Sequence, residues 1–250
     1  MIRLVTAIAA LLLAACVAPV PAPVSTSRLL AGVQAFSEAP VGDPAPMGWE
    51  PWVLSRFLAR TDYKIIETDG QRVLFANANT SASGLLQPLM VMPSEYPWLS
   101  WRWKVPQLIA GADNASRHGD DAPVRVIVAF DGDKSKWDFE DASFAGLVKL
   151  FSGREMPYAT IQYIWENRLP PETVLDNAKT SRSKMLVVES GMRHLGAWRE
   201  YRRDLRLDYE RLFGEPPGPI IFVGLMTDTN ATGAMAQAFY GDIRLSAAQP

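Results

Sequence analysis

The chain is predicted to be mainly β, an antiparallel two-sheet sandwich of jelly-roll-like form carrying two short helices. Three observations predict it. About ten short segments of β-type residues are separated by turn residues such as Asp69-Gly70, and only two stretches show helical spacing. Two helices are too few to alternate with that many strands, as a parallel α/β sheet requires. Short strands at such spacing are best satisfied by two sheets packed face to face.

Taken in order, the chain begins with an address. Arg3 precedes an apolar run from Leu4 to Ala15, broken by Thr6, that is too short for the roughly 20 residues needed to span a bilayer. The run ends Leu13-Ala14-Ala15-Cys16, which looks like a bacterial lipobox. Residues 1–15 are therefore expected to be a lipoprotein signal peptide, and Cys16 the lipidated residue that attaches the protein to the membrane. By the same resemblance, Val17 in place of an aspartate after the cysteine favours the outer membrane, on its periplasmic or its surface face. Loss of Arg3 with the leader would move the net charge from −2 to −3. Residues 16–28, with Pro19, Pro21 and Pro23 at every second position, read as an extended tether. Residues 29–250 are then expected to form one folded domain.

Within that domain the β-type segments are 63–68, 72–76, 84–92, 98–105, 123–130, 158–165, 184–189, 197–204, 219–226 and 235–245. Phe144, Leu147, Val148 and Phe151 recur at helical spacing, and Leu205, Tyr209, Leu212 and Phe213 form a second stripe stopped by Gly214 and Pro216. Alternation sorts the strand residues by face. Leu99, Trp101, Trp103 and Val105 share one face, read as core; Trp98, Ser100, Arg102 and Lys104 share the other. Val124, Val126, Val128 and Phe130 are likewise opposed to a mixed face of Arg125, Ile127, Ala129 and Asp131. If Arg102 and Arg125 stood on neighbouring strands, two guanidiniums would share a face, which needs carboxylates or an anionic ligand beside them. The alternative is a solvated outer face with ordinary charges.

Composition removes several functions. With 25 basic and 27 acidic residues there is no field to hold nucleic acid. Two histidines, His118 and His194, cannot build a three-histidine zinc site, and a single cysteine excludes internal disulfides. There is no Gly-x-Ser-x-Gly elbow and no Walker-type phosphate loop. The connection from Pro106 to Ala122 is long and carries Asp113, Asp120 and Asp121, which could bind a ligand or a divalent cation through oxygen, or simply shape a turn. Asp228 and Asn230 open like a calcium loop but lack the acidic twelfth position, where Phe239 stands. Paired carboxylates for glycosidic cleavage stay open, with Asp120, Asp138, Glu166 and Glu189 all available. Among the eight tryptophans, Trp98, Trp137 and Trp165 are candidates for stacking on sugar rings.

Several blocks in one order carry a family resemblance. Leu99-Ser-Trp-Arg-Trp-Lys-Val105, Gly111-Ala-Asp113, Gly119-Asp-Asp121, Ile161-Gln-Tyr-Ile-Trp165, Leu225-Met-Thr-Asp-Thr-Asn230 and Tyr240-Gly-Asp-Ile243 resemble the bacterial domain-of-unknown-function family numbered 3047, from about Phe36 to Leu245. That resemblance implies a grouping and no mechanism. Tyr240-Gly-Asp-Ile243 also looks like the last strand of galactose-binding-type jelly rolls, which implies a structural calcium near Asp242. The sequence thus leads to an envelope lipoprotein whose noncatalytic sandwich binds a glycan. Arg102, Lys104, Arg125, Asp113, Asp120, Asp121 and Trp165 are the candidate ligand-binding residues. Asp228, Asn230 and Asp242 are the candidate metal ligands. An envelope polysaccharide hydrolase or lyase, or an assembly lipoprotein that binds another envelope protein, are the alternatives.

Overall fold

The computed structural model describes residues 32–247; the expected leader, Cys16 and the whole of the expected tether, residues 16–28, lie outside them. In chain order the elements are β1 (Glu50–Val53), β2 (Asp62–Thr68), β3 (Gln71–Asn79), β4 (Ala82–Val91), β5 (Trp98–Lys104), β6 (Arg125–Phe130), α1 (Phe139–Ser152), β7 (Ala159–Glu166), β8 (Val174–Asn177), β9 (Thr180–Ser190), β10 (Trp198–Asp204), α2 (Leu205–Phe213), β11 (Ile220–Asp228), β12 (Met235–Tyr240) and β13 (Arg244–Ser246). They form two sheets, as the alternation predicts. One runs β1-β4-β11-β6-β7-β9-β8; the other runs β10-β5-β12-β3-β2, with β13 also pairing β5. No helix among the described residues is long and apolar enough to cross a membrane.

Antiparallel pairing holds throughout these ladders except between β7 and β9, which are parallel. The chain leaves β7, makes the edge strand β8, then turns back into β9 between them. A crossover of about a dozen residues is what a parallel pair requires. Sequence reading missed β1 and β8, which have only four residues each. It also joined β12 and β13 into one strand. They are separate because Gly241 packs directly on the Arg102 side chain, where a methyl group would collide, and donates its N–H to Arg102 O at 2.9 Å. The backbone turns aside there before β13 resumes pairing on β5.

The core fills the space between the sheets. Leu99, Trp101, Trp103 and Val105 of the β5 segment are buried, against Val126, Val128 and Phe130 from β6 and Tyr163 from β7. Trp101 lies 4.9 Å from the Tyr163 ring and 5.3 Å from Tyr201, contacts that add to simple area burial. The two helices are built alike but used differently. Each has an aspartate N-cap and a left-handed glycine at its C-terminus: Asp138 and Gly153 for α1, Asp204 and Gly214 for α2. In α2, Leu205 and Tyr209 are fully buried in the main core. In α1 only Asp141 is buried, and the apolar stripe that sequence reading found does not reach the core at all.

Candidate functional site

That stripe faces a groove. Residues of α1 spaced at helical intervals, from Ser143 and Phe144 through Leu147, Val148 and Phe151, roof a space of about 1100 Å³ over the outer face of the seven-stranded sheet. Both ends of the roof are tied down. At its start, Asp141 Oδ1 accepts from the Ser181 N–H at 2.9 Å and from Thr180 Oγ1 at 2.5 Å, and Oδ2 from Ser181 Oγ at 2.7 Å. Burial would raise the Asp141 carboxyl, but these bonds and nearby Arg182 hold it below its ordinary value. Just past its end, Arg154 meets Glu50 at 2.9 Å. These anchors lie on β9 and β1, separated by five strand spacings, or about 24 Å. A 14-residue helix is about 21 Å long. The helix therefore bridges nearly the whole sheet.

The floor is polar toward β6 and β7 and apolar toward β1. Arg125 points outward because its neighbours Val124 and Val126 point into the core. Only 2% of Arg125 is exposed. Its Nε donates to Asp228 Oδ1 at 2.8 Å, and its Nη2 to Asp228 Oδ2 at 3.0 Å and Asp120 Oδ1 at 2.9 Å. Nη1 reaches Gln162 Oε1 at 3.3 Å, and Gln162 in turn donates to Ser183 Oγ. Burial disfavours charge on Arg125, but the two carboxylates outweigh it and keep the guanidinium protonated. Burial also pushes the Asp228 carboxyl up to about 6, against the pull of Arg125. On Asp120 the balance goes the other way: burial is overcome by Arg125, and the carboxyl is held below its usual range. Asp120 and Arg125 border the groove together with Asn230. At the other end, Trp52 of β1 and Phe222 of β11 meet at 5.3 Å, and Phe57 approaches Phe151 at 6.5 Å.

The structure brings some of the predicted residues together and separates others. Arg125, Asp120, Asp228 and Asn230 converge, joined by Asp121, which is buried and accepts from the Ala231 and Thr232 N–H groups and the Thr232 hydroxyl. Asp121 thereby staples the 106–122 connection to the 228–233 turn and shapes the site without facing it. Asp113 lies apart from the cluster, bound to Arg168 at 2.7 Å. Arg102 and Lys104 do not share a face with Arg125, because β5 and β6 belong to different sheets. On the six-stranded sheet, Arg102 bonds Gln71 and lies over the Trp198 ring, while Lys104 pairs with Asp69 at 2.7 Å. Trp165 is fully buried and donates to Gly191 O, so its ring is not presented to a ligand.

The calcium expectation meets donors where a cation needs acceptors. Asp242 accepts from the Ser37 N–H and hydroxyl and from Arg244 at 2.9 Å, so both oxygens already serve donors, one of them cationic. Asp228 is likewise filled by Arg125 and the Ala122 N–H. Neither fits a calcium ion, and no group of three or more His, Cys, Asp or Glu among the described residues could hold a metal.

Sequence reading missed Gln162, Trp52, Phe222 and the roof. Gln162 left a signal, a lone amide between the core residues Ile161 and Tyr163 of β7. Trp52 left little, since β1 is short and interrupted by Pro51.

Solved structures resemble the chain in outline. One is the family 30 carbohydrate-binding module of a cellulosomal cellulase of Clostridium thermocellum, with 15% identity, TM-score 0.42, and 88% of this chain and 100% of that one covered. Another is the xyloglucanase domain of the type three effector NopAA from Sinorhizobium fredii, solved with cellobiose, with 9% identity, TM-score 0.43, and 85% and 100% covered. No curated protein matches the sequence. The sequence profile of the family described as "Protein of unknown function (DUF3047)" matches residues 47–244, which span both sheets, both helices and the groove, and the chain belongs to that family.

Proposed function

We propose that the protein is a lipid-anchored component of the bacterial outer membrane that binds a glycan, without transforming it, in the groove beneath α1. One observation carries the reading: planar hydrogen-bonding groups on Arg125, Asp120 and Gln162 border a groove whose walls include the aromatic rings of Trp52 and Phe222. Planar polar groups bond vicinal hydroxyls while aromatic rings cover the apolar face of a sugar ring. The two carboxylates bound to Arg125 favour binding over cleavage. Asp228, whose raised pKa would suit an acid, is 5% exposed and does not border the groove. Asp120 borders it but is held ionised by Arg125.

The test is a glycan array probed with the chain from Val17. Envelope saccharides should be retained without change in mass, and Asp120→Ala should weaken retention about tenfold, the value of one good charged hydrogen bond. No retained glycan, or a product of altered mass, would overturn the reading. Anchoring is tested separately by fatty-acid labelling of the full chain in bacteria, where Cys16→Ala should abolish the label.

A further inference from the structure

The groove contains more apolar surface than a saccharide can use, and it is distributed along one axis. At one end stand Arg125 with Asp120, and the cations Arg117 and Lys179, neither of which forms an ion pair among the described residues. The Lys179 ammonium lies 5.9 Å from the Phe144 ring, near the start of α1. Asp120 and Glu140 are the carboxylates at this end; Lys179 helps to hold the Asp120 carboxyl down, while Arg117 has no ion-pair partner among the described residues. At the far end, the charged groups are already matched, Arg154 with Glu50 and Glu155 with Lys149. What lies between is hydrocarbon on both surfaces: Leu147, Val148 and Phe151 above, Leu86, Phe222 and Trp52 below. A sugar seated there would find few partners for its hydroxyls, each of which costs free energy when buried unbonded. A hydrocarbon chain would lose no hydrogen bond and would gain from every methylene removed from water.

We infer that the ligand is an acylated, anionic saccharide. Its acyl chain lies under α1, and its charged headgroup lies at the Arg117 and Lys179 end. This rests on the glycan reading for the polar end of the groove alone, and it assigns Trp52 and Phe222 to the chain in place of the sugar face they cover in that reading; the chain is argued from the groove walls. Exposed Leu147 and Phe57 border the slot, so an apolar chain can enter along an apolar rim.

The probe is dansyl-undecanoic acid, an anionic headgroup on an alkyl chain, titrated by fluorescence into the chain from Val17. That segment contains both sheets and the core between them, all within residues 32–247, so it folds without the leader. Saturable binding with blue-shifted emission is expected. Leu147→Asp should weaken it about tenfold or more, because a carboxylate placed in the slot repels both chain and headgroup. Leu150→Asp, on the same helix but outside the groove lining, should leave it unchanged. Both residues are exposed, so a thermal melt should show both variants folded. Absence of saturable emission, or equal binding by folded Leu147→Asp, overturns the inference. So do saccharides that bind equally well with and without an acyl chain, a result that leaves the glycan reading standing. Probe binding with no saccharide retained on the array overturns the glycan reading and keeps the chain site.

Discussion

The outer faces of the two sheets start from the same alternation and end in different chemistry. On the six-stranded sheet, Arg102 and Lys104 alternate with core residues; Lys104 pairs with Asp69, while Arg102 bonds only the neutral Gln71 amide and lies over the Trp198 ring. On the seven-stranded sheet, Arg125 alternates in the same way but is buried, because a helix and two loops cover that face. Every residue of β6 is buried on both sides. The difference lies in what covers the strand. An arginine left in water contributes little through its ion pairs, whereas a buried one must be matched atom for atom.

The sharpest way to break this comparison is to remove each arginine. Arg125→Met leaves the Asp228 carboxylate buried without its main partner and should cost about 3–5 kcal/mol. Arg102→Met should cost under about 1 kcal/mol. Thermal or urea unfolding of the pair decides it, and similar losses would show that the two faces are equivalent after all. The helices offer the next contrast. Leu205→Ala, at a fully buried position of α2, should cost about 2–5 kcal/mol. Leu150→Ala, on the water-facing side of α1, should stay within about 0.5 kcal/mol. A large loss at Leu150 would mean that α1 is part of the core and not a roof.

The smallest effect is in pH. Asp228 binds its proton more tightly folded than unfolded, so its contribution to stability is full below about pH 4 and is lost as the pH rises through about 6. Asp120 has the opposite sign. Its contribution is present above the ordinary carboxylate range and is lost as acid protonates it. Between pH 7 and 5, where Asp228 alone of this pair titrates, stability should rise on acidification, and Asp228→Asn should flatten that slope. Carbon NMR of the side-chain carboxyls should place the Asp228 midpoint near 6 and that of Asp120 below the usual range; reversed midpoints would refute the assignment.

How far the sequence could be read follows from what periodicity encodes. Alternation assigns faces within a strand, so the burial of Trp101 and Trp103 was legible, as was the exposure of Arg102 to the opposite side. Alternation also puts Trp165 on the face of Ile161 and Tyr163, a signal that should have removed it as a stacking platform. It is silent about which sheet a strand joins, so Arg102 and Arg125 could be imagined as neighbours. Helical spacing is equally silent about what an apolar stripe covers. Phe144 to Phe151 was read correctly as one face, but nothing in the spacing distinguishes a core from a ligand groove. The meeting of Asp120 with Asp228 joins positions more than a hundred residues apart through Arg125, and only the sheet order brings them together.

The position of α1 in the chain has one more consequence. Its segment leaves β6 and returns to β7, and those strands are antiparallel neighbours joined along their whole length. The roof is therefore an enlarged hairpin connection, tied to β9 through Asp141 and to β1 through Arg154 but outside both ladders. Replacing residues 133–155 with a short turn would spare the core residue Tyr158 and the Asp131 bond to Pro219 and keep the β6–β7 pairing while uncovering the floor. A ligand site of the kind proposed would then combine a fixed floor, with Arg125, Gln162, Trp52 and Phe222 on its strands, and a roof carried by an exchangeable connection.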